Sequence, residues 1–99
     1  MLTIEHKQRF IQRSRMEIIA SLLKYSIDGS RKTRLIYKCN LSLSLFNKYV
    51  DCLIEGELLQ KNTEMNPRQR SIETYHTTEK GMEFLRDYEK ISKILNEIC

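Results

Sequence analysis

From Ser14 to Gly56 the apolar residues recur at helical spacing, and immediately after Gly56 they alternate as in strands, a single change of period that few folds accommodate in about 100 residues. The stretch SRMEIIASLLKYSID places Met16, Ile19, Ala20, Leu23 and Ile27 on one helical face. A second row, Ile18, Leu22 and Tyr25, widens that face, so this helix is expected to be buried on two sides. Ser14 is suited to cap its start, and Asp28-Gly29 to stop it with turn chemistry.

A second helix is expected over RKTRLIYKC, capped by Ser30, with Leu35, Ile36 and Cys39 facing inward. Asn40-Leu41-Ser42 breaks it, because Asn tolerates a left-handed turn and Ser42 can cap a third helix. In that third helix Leu45, Tyr49, Cys52 and Leu53 are the expected packing stripe, and Cys39 and Cys52 read as small core residues. Ser44, Asn47, Lys48, Asp51 and Glu55 form a polar stripe of the same period, and Gly56 ends the helix. Residues 58–63 and 71–76 then read as two strands joined by EMNPRQR, a tip too long for a two-residue turn. Thr78 caps a fourth helix that runs close to the C-terminus.

Three helices followed by a hairpin is the order of a winged helix-turn-helix, a mostly α, α+β fold. The expected division is a basic N-terminal arm or helical extension over 1–13, the winged-helix domain over 14–78, and a C-terminal helix over 79–99.

Charge is distributed unevenly along this plan. Residues 1–40 hold nine Lys or Arg against three acids, whereas the rest of the chain is slightly acidic, within a net charge of +4. A local cationic surface attracts polyanions, although such patches are also found as plain solvated faces. Little in the chain points to catalysis. The three cysteines and two histidines stand at no metal-ligand spacing, and the three glycines are isolated, so no metal, cofactor or enzymatic activity is expected. No apolar run approaches the roughly 20 residues of a membrane span, and MLTIEHKQRF has no signal-peptide segment, so a cytoplasmic protein is expected.

The segments KTRLIYKCNLS, LFNKYVDCLIEGELL and YHTTEKGMEFL resemble archaeal winged-helix proteins of the small DNA-binding regulator and chromatin-associated type, over about residues 16–88. That resemblance implies a recognition helix beginning near Ser42, a basic second helix over the phosphate backbone, a wing at the hairpin tip and dimerisation through the last helix. Two features depart from the pattern: the last helix is short for an extended coiled coil, and Asp51 and Glu55 would repel phosphate at the far end of the third helix.

Residue roles follow from that docking. Arg31, Lys32 and Arg34 are the expected phosphate contacts, which position a protein without reading sequence. Asn47 suits adenine, Lys48 guanine or phosphate, Ser42 and Ser44 either, and Leu43 a thymine methyl. Arg68 and Arg70 suit a narrow minor groove, and Lys7, Arg9, Arg13 and Arg15 an arm on DNA, a helix packed on the dimer or a plain basic tail. In the last helix Phe84, Tyr88, Ile91, Leu95 and Ile98 keep the spacing of a short coiled-coil seam, equally the pattern of a helix lying on its own core. Cys99, beside that seam, is either an inter-subunit bridge or an inert thiol. The functions left in contention are a homodimeric regulator on duplex DNA, a sequence-tolerant chromatin protein, and a protein-interaction module.

Overall fold

The computed structural model describes residues 14–98; the N-terminal arm and Cys99 lie outside the described residues. Helices α1 (Arg15–Tyr25), α2 (Lys32–Cys39) and α3 (Leu43–Glu55) are followed by strands β1 (Leu59–Met65) and β2 (Ser71–Thr77) and a long α4 (Glu79–Ile98). The strands form one antiparallel hairpin, with Leu59 opposite Thr77 and Met65 opposite Ser71. This is the architecture the change of period predicts.

Local chemistry sets most of the boundaries. Ser14 caps α1 in a reciprocal box, its hydroxyl accepting from the Glu17 amide while the Glu17 carboxylate accepts from the Ser14 amide. Asn40 turns the chain after α2 in the left-handed region at φ 52°, and the Ser42 hydroxyl accepts from the Leu45 amide to start α3. At the other end of α3, Gly56 follows the last helical residue, but Glu57 takes the left-handed conformation at φ 62°. Its amide donates to the Ile54 carbonyl and the Leu58 amide to the Leu53 carbonyl, the two bonds of a Schellman ending.

Thr78 opens α4 as expected, its hydroxyl accepting from the Gly81 amide while donating to the Glu57 carbonyl at 2.7 Å. A Cβ on Gly81 would collide with the Leu58 carbonyl oxygen, so the first turn of α4 packs directly on the backbone that leaves α3.

The core is one cluster. Ile18, Ala20, Leu22 and Leu23 of α1 meet Leu35 and Cys39 of α2, Phe46, Val50 and Leu53 of α3, Leu59 and Tyr75 of the hairpin and Leu85 of α4. Phe46 and Tyr75 meet edge to face at 5.7 Å. Tyr75 is buried, and that burial raises its hydroxyl pKa above the usual 10.0.

Three sequence expectations are corrected. Ser30 does not cap α2: it is buried and pairs with Tyr75 through both backbone bonds, making a one-residue third strand beside β2, and α2 starts two residues later without any side-chain cap. The packing face of α3 is Phe46, Val50 and Leu53, and Leu45 and Cys52 are exposed. At 100° per residue those three lie opposite the Ser44, Asn47, Lys48, Asp51, Glu55 stripe, whereas Leu45 and Cys52 lie to its side. Met16, in the first turn of α1, is 44% exposed, and Ile27 is 41% exposed because the helix ends at Tyr25, before it reaches Ile27.

Candidate nucleic-acid interface

The interface begins with a helix that is charged the wrong way for its own stability. The positive end of a helix dipole favours acids in the first turn. Here α2 has none; instead Arg31 precedes it and Lys32 and Arg34 lie within that turn. With no capping side chain either, the first-turn N–H groups and these cations together form a surface that an anion would neutralise.

The three cations are held differently. Arg31 is exposed. Lys32 is half-buried, its Nζ lying 5.8 Å from the centre of the Phe46 ring. Arg34 is exposed overall but anchored: its Nη1 donates to the Ser30 hydroxyl and, at 3.5 Å, to the Tyr25 carbonyl. Ser30 in turn donates to the same Tyr25 carbonyl. Arg34 therefore stitches α2 to the end of α1, a role its place in a charge cluster did not reveal.

Across the Asn40 turn, Ser44, Asn47 and Lys48 are exposed on the outer face of α3, and Leu43 is exposed at the start of the helix, to the side of that face. The Ser42 hydroxyl is occupied by its cap bond, so of the two serines Ser44 has the freer side chain. Asp51 and Glu55 are exposed at the far end of the same face, where their carboxylates make it acidic beyond the first two turns.

The hairpin carries the remaining candidates. Arg68 and Arg70 are exposed at its tip, where their backbone amides both donate to the Asn66 side-chain oxygen, at 3.0 and 2.8 Å. A groove lined by Arg31, Lys32 and Thr33 on one side and Ser71, Ile72 and Glu73 on the other joins the start of α2 to the hairpin. Glu73 is paired with Lys61 at 3.6 Å, which offsets its charge beside that groove. The structure thus brings the α2 cluster beside the hairpin, while Arg68 and Arg70 stand further out along it.

Two exposed residues are not singled out by the sequence pattern. Tyr37 is 80% exposed on α2, and the inward phase of Leu35 and Cys39 is the signal that points it outward. Met65 is 66% exposed at the end of β1, with no such signal, since strand alternation alone does not tell how far the core extends beneath a hairpin.

Along α4, Phe84 and Tyr88 are half-buried and stack on each other at 6.5 Å with planes 7° apart. Ile91, Ile94, Leu95 and Ile98 are 53–74% exposed, on a helix that runs about 20 Å past Leu85, its last buried residue, at 1.5 Å per residue. Among the described residues no helix is long and apolar enough to cross a membrane, and no group of three or more His, Cys, Asp or Glu is placed to hold a metal ion.

Known structures share this fold. Sso10a-2, a DNA-binding protein from Sulfolobus solfataricus, superposes with a TM-score of 0.73 at 28% identity, covering 87% of this chain and 85% of that one. The PcaV transcriptional regulator of Streptomyces coelicolor, solved with its natural ligand, has the same fold, with a TM-score of 0.67 at 18% identity over 88% of this chain and 60% of that one. An uncharacterised protein of Methanocaldococcus jannaschii is 29% identical over 93 residues, 93% of this chain and 87% of the relative. The family described as winged helix-turn-helix matches residues 12–96, nearly the whole of the three helices, hairpin and last helix described above, and the chain belongs to that family.

Proposed function

We propose that this chain is a homodimeric transcriptional regulator that binds double-stranded DNA with sequence preference. The observation that carries the proposal is the cationic first turn of α2, a local cost to the fold that an anionic partner would offset, placed directly ahead of the exposed polar face of α3. The similarity to Sso10a-2, a DNA-binding protein, supports it.

In this proposal α3 enters the major groove. Asn47 pairs with adenine, Lys48 with guanine or a neighbouring phosphate, Ser44 with either base type, and Leu43 meets a thymine methyl. Ser42 contributes its position at the helix start more than its hydroxyl. Arg31, Lys32 and the outer edge of Arg34 hold the phosphate backbone, and Arg68 and Arg70 reach the adjacent groove.

The same proposal assigns the apolar face of α4 to a second copy. Ile91, Leu95 and Ile98, joined by Ile94, form a short seam that Phe84 and Tyr88 extend toward the domain, and Cys99, which follows Ile98 in sequence, is assigned to the same interface. A two-fold dimer then spaces two α3 helices by about one DNA turn, on the order of 34 Å or a multiple. Such a protein works where the genome is, in the cytoplasm, and needs no cofactor.

Selection from a randomised duplex pool, followed by a salt titration, tests this. A palindromic site is expected. Tight binding without enrichment would make the protein a sequence-tolerant chromatin component instead, and no binding at low salt would leave a protein-interaction module.

A further inference from the structure

The hairpin carries one exposed apolar side chain, Met65, where β1 meets its basic turn. Met65 shares a strand face with Leu59, which is buried at the hairpin base, and its register places it on the same side as Tyr75. The outermost buried residue of the hairpin is Tyr75, paired with Lys61, and Met65 lies four residues further along β1. At about 3.3 Å per residue that carries Met65 roughly 13 Å beyond the last core contact. The face that is covered at the base is uncovered at the tip, where Met65 is 66% exposed.

Beyond it the turn is locked. The Asn66 amide donates to the Arg70 carbonyl at 2.9 Å and the Gln69 amide to the Asn66 carbonyl at 2.8 Å. The Asn66 side chain accepts from the Arg68 and Arg70 amides, and Gln69 closes the loop in the left-handed region at φ 61°. Four hydrogen bonds thus fix a loop of three residues, Pro67 to Gln69, and hold Arg68 and Arg70 near Met65. Of the two acids nearest the tip, Glu64 lies on the opposite strand face, paired with Ile72, whereas Glu73, opposite Thr63, shares the face of Met65 and is offset there by its ion pair with Lys61.

We infer that this tip is a wedge: with the two arginines on the flanking phosphates, Met65 enters the minor groove and parts one base step, so that the bound duplex is bent. The inference rests on the DNA-binding proposal above and adds a mode of contact to it. A thioether chain is flexible and polarizable enough to lie against base faces, and apolar wedges of this kind kink duplexes by roughly 20–90°. Pyrimidine–purine steps unstack at least cost. The selected site therefore carries such a step under each wing, at a position α3 does not touch.

Energy transfer between dyes on the two ends of the selected duplex measures the bend, and anisotropy on the same duplex measures binding. The wild type is expected to bend the duplex by at least about 20°. Met65→Ala is expected to straighten it while weakening binding less than about tenfold, since the cost of unstacking disappears with the contact. Met65→Leu is expected to retain the bend. A 2-aminopurine placed in the step brightens with the wild type and not with Met65→Ala. A duplex bound but straight, or bent equally by Met65→Ala, overturns the wedge and leaves DNA binding intact. Absence of any duplex binding overturns the DNA proposal itself and the wedge with it.

Discussion

Arg31 and Arg34 sit three residues apart in one cationic cluster, yet their replacement by alanine should move stability in opposite directions. Arg31 stands exposed at the positive end of α2, so removing its charge relieves an unfavourable interaction with the dipole, a gain of about 0.3–1 kcal/mol. Arg34 has the same dipole penalty but also donates to the Ser30 hydroxyl and the Tyr25 carbonyl. A hydrogen bond from a charged group contributes about 1.5–3 kcal/mol when buried. Arg34 is exposed, so solvent screening reduces this to roughly 1–1.5 kcal/mol. After the dipole gain of about 0.3–1 kcal/mol, Arg34→Ala should lose up to about 1 kcal/mol. For a domain of this size that is a fall in Tm of up to about 8 °C, against a rise of about 1–8 °C for Arg31→Ala. On duplex DNA each variant should lower the salt slope by about one. Melting curves must be taken at one protein concentration, because a dimer links Tm to concentration. An Arg34→Ala protein that melts with Arg31→Ala would show that the guanidinium does not stitch α2 to α1, and two unchanged salt slopes would remove both residues from the phosphate contacts.

Asn47→Ala should relax base preference at one position of each half-site at a cost of about 1–3 kcal/mol, read by repeating the selection; an unchanged site would take Asn47 off the bases. Ile91→Asp, which puts a charge into the apolar face of α4, should yield monomers in sedimentation, and a dimer that persists would move the interface elsewhere. Glu57→Gly should stabilise the fold by about 0.5–1 kcal/mol, since glycine adopts the left-handed conformation at φ 62° without the penalty a side chain incurs there. Glu57→Ala keeps that penalty and is the control for loss of the charge. Tyr75 makes stability fall in alkali: its pKa is raised in the folded state, so the unfolded chain releases this proton first, and the stabilisation present below about pH 10 is lost as pH rises through the folded value. Urea midpoints between about pH 8 and 11 should therefore drop less for Tyr75→Phe than for the wild type.

The features legible in the sequence were local ones. Ser14, Asn40, Ser42 and Thr78 each satisfy an orphan backbone group within a few residues of themselves, so local chemistry alone located those boundaries. The errors over Ser30 and α3 both involve partners distant in sequence. Ser30 has the chemistry of a cap, but its backbone is taken by Tyr75 of the hairpin, and α2 starts uncapped as a result. The rotation of α3 was decided by Phe46 reaching the Tyr75 ring. A stripe of Leu45, Tyr49 and Cys52 is equally periodic, and periodicity does not say which of two apolar rows meets the core. The polar stripe was the safer guide, because Ser44, Asn47, Lys48, Asp51 and Glu55 leave only the opposite side of the helix to be buried. Arg34 shows the same limit within the candidate interface: a cluster of cations is visible in the sequence, but which member also braces the fold is not.

The anchoring of α4 joins the two halves of the proposed function. Its first turn is fixed to the end of α3 by the Thr78 hydroxyl on the Glu57 carbonyl, by the Thr78 amide on the Leu58 carbonyl, and by the glycine-close approach at Gly81. The end of β2 is tied in the same place to α1, through the Thr77 amide on the Ser26 carbonyl and the Thr77 hydroxyl on the Leu23 carbonyl. A helix held at its root by backbone contacts to the end of α3, and joined to β2 by Thr78 alone, has little freedom to swing relative to α3. If two copies pair along Ile91, Ile94, Leu95 and Ile98, the separation of their α3 helices is therefore set by the length and pitch of α4 and not by the DNA. Half-sites moved apart by about two or three base pairs should then lose most of the binding. A protein whose pairing helix hung on a loop would tolerate the same insertion, so a set of duplexes differing only in spacer length tests the rigidity of this junction without any mutation.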